Sequence, residues 1–238
     1  MSQFKLLSVG SDSKTVKGEK FGFLTGILYL SPASLSGVNL CPGASDGCRA
    51  ACLYTSGLGG IYKTVNEGRM KKTLWFLRDR AAFMKRLFAD IHALVRKAAR
   101  ENLTPVLRLN GTSDIEWENV LIDGKNVFEH FPTLQCMDYT KIAKRFFKGA
   151  KARSIPNYHL TFSRSENNGK VAQIVAEIGG NVAVVFSGKN HPDTYMGRKV
   201  ISGDESDLRF LDAPQSIVAL YAKGQAKKDT SGFVVQVS

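Results

Sequence analysis

Two adjoining stretches decide the reading: residues 22–31, GFLTGILYLS, and residues 41–54, CPGASDGCRAACLY. The first is apolar almost throughout, which suits a strand covered on both faces, as in a parallel sheet. Pro32 lacks an N–H and ends the pairing. The second places Cys41, Cys48 and Cys52 within twelve residues, among Gly37, Pro42, Gly43 and Gly47, with Gly57, Gly59 and Gly60 following. A loop of that composition folds tightly enough to turn three sulfurs toward one point. It lies just past the carboxyl end of a buried strand, where α/β folds place their chemistry.

Working outward, residues 4–9 suggest a short strand and residues 10–20 a polar, hairpin-like loop. Beyond the cysteines, residues 63–77 read as one helix and Asp79 as the start of another. Leu77, Ala81, Met84, Leu87, Ile91, Leu94 and Ala98 recur at steps of three or four, a helix face against a core. Asn102 and Pro105 end that helix. Strands are expected at 105–110, 133–139, 158–163, 181–186, 200–201, 217–222 and 233–237. Helical stretches fall at 126–131, at 140–148 (basic), and at 167–178, where Val171, Ile174, Val175 and Ile178 are the apolar positions. Strands alternating with helices imply right-handed βαβ units and a mainly parallel sheet. The expectation is a single α/β domain over residues 1–238, a partial (β/α) barrel with the cysteine loop at 32–60.

The 238 residues are 43% hydrophobic, enough for one substantial core. No run of eighteen apolar residues occurs, so no membrane span is expected. The opening MSQFKLLSVG lacks the apolar core and cleavage site of a secretory signal. Both features point to the cytoplasm, where thiols stay reduced and a disulfide framework is not expected. The net charge of +12 is uneven: residues 63–101 carry eleven Lys/Arg against four Asp/Glu, and residues 140–153 carry six with no acid. Basic faces of that size suit nucleic acid or another polyanion, and equally a solvated helix surface.

If the strands run parallel, polar residues gather on one rim: Asn110 and Asp114 after the second long strand, Asp138 and Lys141 after the third, Arg164 and Glu166 after the fourth, and Lys223 after IVALYA. Ser113 or Asp114, Thr140 and Ser165 also suit helix N-caps. Arg164 and Lys223 do not, which makes them pocket candidates.

Soft thiolate sulfur suits zinc or iron–sulfur clusters. Structural zinc uses four closed ligands, commonly from C-x2–4-C pairs. Here the spacing is C-x6-C-x3-C with no second pair, and His92, His130, His159 and His191 are distant in sequence. Cys136 reads as a small buried apolar residue. Three cysteines would fully serve a [3Fe–4S] cluster, or leave one iron of a [4Fe–4S] cluster open; zinc and three plain thiols are the alternatives. P-loop, paired metalloprotease histidine and G-x-S-x-G motifs are absent.

CPGASDGCRAACLY, RLNGTSD at 108–114, DYTK at 138–141, LTFSRSE at 160–166 and AKGQAKKDTSGFVV at 222–235 resemble the phage-encoded gene product 88 family over nearly the whole chain. The resemblance implies a phage or prophage origin, action in the bacterial host cytoplasm, and Cys41, Cys48 and Cys52 as cluster ligands. More distantly, the chain is similar to the radical S-adenosylmethionine enzymes, partial (β/α)6 barrels with a three-cysteine loop after the first strand. That likeness implies S-adenosylmethionine as a ligand of the open iron. Here the spacing differs, Tyr54 follows the last cysteine, and NGTSD at 110–114 stands near the place of that family's glycine-glycine-glutamate segment. Two functions follow as expectations. One is an iron–sulfur protein with radical-enzyme-like architecture. The other is a non-catalytic nucleic-acid-binding or redox protein with a structural metal, in which Tyr62, Trp75, Phe146 and Phe147 could stack on bases.

Overall fold

A computed structural model of the chain describes residues 4–10, 13–55 and 60–237. Nine strands form one sheet in the order β1-β2-β3-β4-β5-β6-β9-β8-β7. They are β1 (Leu7–Val9), β2 (Phe23–Leu28), β3 (Thr104–Arg108), β4 (Gln135–Thr140), β5 (Tyr158–Ser163), β6 (Asn181–Phe186), β7 (Thr194–Tyr195), β8 (Arg198–Ser202) and β9 (Ile217–Tyr221). From β3 to β6 each strand pairs in parallel with the one before it. Then β9 enters beside β6, and β8 lies beyond it. Only β1 and β7 pair antiparallel, at the two edges. The sheet is thus mainly parallel, as the alternating pattern implies.

The largest core lies against β1–β3. Helix α3 (Lys63–Arg78) and helix α4 (Arg80–Arg100) meet at Asp79, whose carboxylate accepts the Ala82 N–H at 3.0 Å and caps α4. The Pro-free run after that cap keeps Phe83, Met84, Leu87, Ile91, Leu94 and Ala98 on one buried stripe. Burying each large member contributes about 1.5–3 kcal/mol. The stripe comes so close to β2 that a Cβ on Gly26 would sit 2.8 Å from Leu94 Cδ2. Asn102, at φ 53°, takes the left-handed turn that ends α4. Asp90 breaks the apolar pattern for a structural reason. It is 8% exposed, accepts the Leu6 and Leu7 N–H groups at 2.6 and 3.3 Å, and pairs with Arg86 at 2.6 Å. It therefore tethers β1 to the helix.

A second core packs helix α5 (Gly169–Glu177) on β5, β6 and β9. Its buried face is Ala172, Val175 and Ala176, while Ile174 and Ile178 are 45% and 42% exposed. The expected stripe is therefore rotated toward smaller residues. Gly180 packs against the same face: a Cβ there would lie 2.6 Å from Val175 Cγ1.

Three further expectations differ from the structure. Residues 10–20 are not hairpin-like: helix α1 (Ser13–Glu19) occupies most of them, and 11–12 lie outside the described residues. The basic stretch 140–148 forms a 3-10 turn, Ala143–Phe146, rather than a helix. Arg145 and Phe146 are both buried there, a demand that an exposed amphipathic helix would not meet. Residues 233–237 give one bridge, Phe186 to Val235, instead of a strand, because Gly232 turns at φ 87°. Among the described residues no helix is long and apolar enough to cross a membrane.

Candidate metal centre

Beyond β2 the chain rises to Leu30, which is fully buried, and Ser31, whose N–H donates to Thr73 Oγ1 at 2.8 Å. Ala33 then takes a left-handed φ of 44° and reverses the chain. Its N–H points at Cys41 Sγ, 3.3 Å away, and its carbonyl accepts the Leu40 N–H at 3.0 Å. The Leu40 carbonyl accepts the Asp114 N–H at 2.8 Å. Cys41 Sγ lies 3.8 Å from the Thr112 carbonyl. The first cysteine is therefore pinned between the carboxyl ends of β2 and β3.

Cys48 rides on a short helix, α2 (Asp46–Ala50), capped by Ser45, whose Oγ accepts the Cys48 N–H at 3.2 Å. Glu166, from the end of β5, closes that helix terminus: Ser45 Oγ donates to it at 2.7 Å and the Gly47 N–H at 2.8 Å. Burial raises the Glu166 pKa, but the Ser45 and Gly47 bonds outweigh it and hold the carboxyl below its usual range. Both loop glycines are needed for contact. A Cβ on Gly43 would lie 2.8 Å from Lys141 Cβ, and one on Gly47 would lie 2.2 Å from Ser231 Oγ. Residues near the carboxyl end cover the helix: Ala222, Ala226, Phe233 and Val234 form an apolar cluster with Ala51 and Cys48. Arg164 holds that segment, donating to the Gly232 and Phe233 carbonyls at 2.6 and 3.0 Å.

The three thiols are half-buried and influence one another electrostatically. Burial pushes Cys41 up to about 11, and burial also raises Cys48 and Cys52. Cations oppose this: Lys141 acts on Cys48, and Arg69 with Lys141 on Cys52. The Lys141 ammonium donates to Ser163 Oγ at 2.6 Å and lies over the Phe233 ring at 5.4 Å. Its backbone N–H donates to Asp114 Oδ2 at 2.8 Å. Among the described residues no three His, Cys, Asp or Glu side chains are arranged to hold a metal ion. A tetrahedral zinc would need its sulfurs about 3.8 Å apart, from a Zn–S bond of about 2.3 Å. A cluster attaches each thiolate to a different iron and so holds them further apart. The donor set present is three soft thiols with two cations, Lys141 and Arg69, close enough to act on their charge.

The expected rim residues divide. Asp114, Lys141, Glu166 and Arg164 stand at or around the cysteine loop. Asn110 and Asp138 lie beneath it, each 2% exposed. The Asn110 N–H donates to Asp138 at 2.7 Å, and its Oδ1 accepts from Ser113, Ile115 and Trp117. Burial pushes Asp138 up to about 7. Lys223 faces Asp204 at 3.4 Å, in a separate cleft at the carboxyl ends of β6, β8 and β9. Cys136 is 1% exposed, as its strand position implies. Arg69 is the residue that charge patterning misses. It looks like one more helix cation, yet it is 9% exposed, with its guanidinium over the Tyr29 and Tyr54 rings at 5.1 and 5.5 Å. The run Ser45-Asp46-Gly47-Cys48 carries the cap signal that could have placed α2.

A mainly parallel sheet with a cysteine loop on its carboxyl rim defines the class, an α/β protein with a candidate thiolate centre. Within that class the chain belongs to the gene product 88 family, which it matches over residues 5–237. No curated protein and no solved structure matches it significantly.

Proposed function

We propose that Cys41, Cys48 and Cys52 hold an iron–sulfur cluster, [4Fe–4S] with one open iron or [3Fe–4S], in a partial barrel akin to that of the radical S-adenosylmethionine enzymes. The observation that carries the reading is the meeting of three thiols with Lys141 and Arg69 on the carboxyl rim. The sequential order of β2 to β6 supports the barrel. A bound cluster would supply electron transfer, and at an open iron the coordination of a small molecule. The chain's own part is definable. Lys141 and Arg69 offset the negative charge of thiolates and cluster. Phe233 and Val234 cover one side of Cys48. Glu166 fixes the terminus of α2, the helix that carries Cys48. Burial keeps the thiols protonated, so cluster binding must release protons.

The test is anaerobic purification with iron and sulfide analysis, followed by electron paramagnetic resonance with and without S-adenosylmethionine. Near-stoichiometric iron and sulfide, lost in Cys48→Ser, support the cluster. A colourless, iron-free protein after anaerobic reconstitution sinks it. A signal unchanged by S-adenosylmethionine removes that ligand alone.

The exposure of Arg78, Arg80, Lys85, Arg96 and Arg100 along α3 and α4 favours a second reading, in which the cysteine site is structural and this basic face binds nucleic acid. The 140–153 face contributes less than its six cations suggest, because Arg145 is buried in an ion pair. Affinity for a duplex should fall steeply and linearly in log–log form with salt. Binding that ignores salt would count against it.

A further inference from the structure

The cleft that holds Lys223 lies where the strand order breaks. From β2 to β6 neighbours in the sheet follow chain order, but β9 is inserted between β6 and β8. The chain therefore leaves β6, β8 and β9 at adjacent carboxyl ends and departs in different directions. Open α/β sheets bind ligands in the crevice that such a break creates. Here the crevice has a volume of about 290 Å³, at the small end of the range for ligand sites. It opens on the same rim as the cysteine loop, yet no residue of that loop lines it.

Three ammonium groups converge on the cleft from separate parts of the chain: Lys17 on α1, Lys189 after β6 and Lys223 after β9. Lys17 donates to the Asp204 carbonyl at 3.0 Å. Lys189 and Lys223 lie over the Tyr221 ring at 5.6 and 4.5 Å. Of the three, only Lys223 has a carboxylate partner among the described residues, Asp204 at 3.4 Å. That carboxylate also accepts the Tyr221 N–H at 3.3 Å, so it is fixed as part of the wall. Lys17 and Lys189 are exposed, within reach of a ligand entering from solvent.

These donors select the anion. A lysine is a point charge without the planar fork by which arginine grips a carboxylate. Three of them suit a tetrahedral group with about two negative charges and three terminal oxygens, which is what a phosphate ester offers. Asp204 and Glu205 line the same cleft and repel any second anionic group. What the phosphate carries must therefore be uncharged, and the Tyr221 ring gives it one flat apolar surface.

We propose that this cleft binds a small phosphate ester whose organic part is neutral. The site is independent of the cluster reading and stands or falls without it.

Calorimetry on the full chain would compare glycerol 3-phosphate, ribose 5-phosphate, 3-phosphoglycerate, glycerol and inorganic phosphate. Glycerol 3-phosphate or ribose 5-phosphate should bind at millimolar concentration or below, and more tightly than inorganic phosphate. Glycerol should not bind, and 3-phosphoglycerate, which adds a carboxylate, should bind more weakly than glycerol 3-phosphate. Lys17→Gln and Lys189→Gln, at exposed positions that leave folding intact, should each weaken the ester by about fivefold, the scale of an exposed ion pair. Lys85→Gln, on the exposed face of α4 and away from the cleft, should change nothing, which separates the cleft from general basic charge. Binding should also shift the Tyr221 ring resonances. The proposal is overturned if neither neutral ester binds at millimolar concentration, if inorganic phosphate or 3-phosphoglycerate matches them, if Lys85→Gln weakens binding as much as Lys189→Gln, or if the Tyr221 resonances do not move.

Discussion

Replacing Arg145 by methionine should remove a large part of the chain's stability, and the reason lies directly beneath the cysteine loop. Arg145 and Glu118 are each 2% exposed. The guanidinium donates to both Glu118 oxygens, at 2.8 and 2.7 Å, and to Tyr158 Oη at 2.9 Å, and it stands 3.6 Å from Asp114. Tyr158 in turn donates to Asp138 at 2.9 Å. Removing one partner of a buried ion pair leaves the other charge uncompensated, at a cost of about 3–5 kcal/mol. For a chain of this length that is a fall in Tm on the order of 10 °C. The pair as a whole is worth far less, since its desolvation offsets most of its attraction. The double variant Arg145→Met/Glu118→Leu should therefore recover most of the loss, to within about 1–2 kcal/mol of the parent. Urea unfolding of the four members of this cycle measures the coupling. An Arg145→Met cost below about 1 kcal/mol, or two single costs that simply add, would refute the reasoning, because either result means that the guanidinium is solvated. The same variants report on the site: loss of the Arg145 charge beside Asp114 should loosen the cysteine loop, whose Leu40 carbonyl accepts the Asp114 N–H.

Other perturbations follow from the same packing. Leu87→Ala, in the fully buried stripe of α4, should cost about 2–5 kcal/mol in urea unfolding; a cost under 1 kcal/mol would mean that α4 does not pack as described. Two glycine substitutions should move in opposite directions. Gly47→Ala drives a methyl into Ser231 and Glu166 and should destabilise by about 1–3 kcal/mol. Gly68→Ala, on α3 with nothing within 4 Å, should stabilise by about 0.5–1 kcal/mol. Equal effects in thermal melts would contradict the docking of α2. His159 should titrate at about 4 by imidazole NMR. Its folded pKa is depressed, so the unfolded chain binds the proton first. The folded state then loses stability relative to His159→Gln as pH falls from about 6.5 to about 4, by at most roughly 3 kcal/mol, with no effect above that window. A titration near 6.5 would place the ring in water.

Much of this was legible in residue order, and the exceptions share a cause. Residues 158–163 and 181–186 read as strands and are strands to the residue, because buried parallel strands are apolar runs with clear ends. Asp79 announces α4 because an N-cap is a local device. The failures are residues whose role depends on a distant partner. Arg145 reads as one cation among six on a basic helix, yet Glu118 draws it into the core and shortens the helix to a turn. Asn110 and Asp138 read as rim residues, and strand-end position alone could not show that they satisfy each other below it. Lys223 shares the rim by topology but lies at another cleft, since β9 is inserted between β6 and β8. The cysteine spacing was visible; the cover over it was not, because it is made some 180 residues later in the sequence.

That separation imposes an order on assembly. A chain leaving the ribosome presents Cys41, Cys48 and Cys52 some 180 residues before Ala226, Phe233 and Val234. The Ser45 cap of α2 can form from local contacts at once, but the apolar cover over Cys48 must wait until residues 222–234 are made. Until then the three thiols lack that cover and stand open to solvent and to oxidants. Closure of residues 222–234 over Cys48 is therefore a later step than capping of α2, and the time for which the thiols stand fully open is set by translation of the intervening chain.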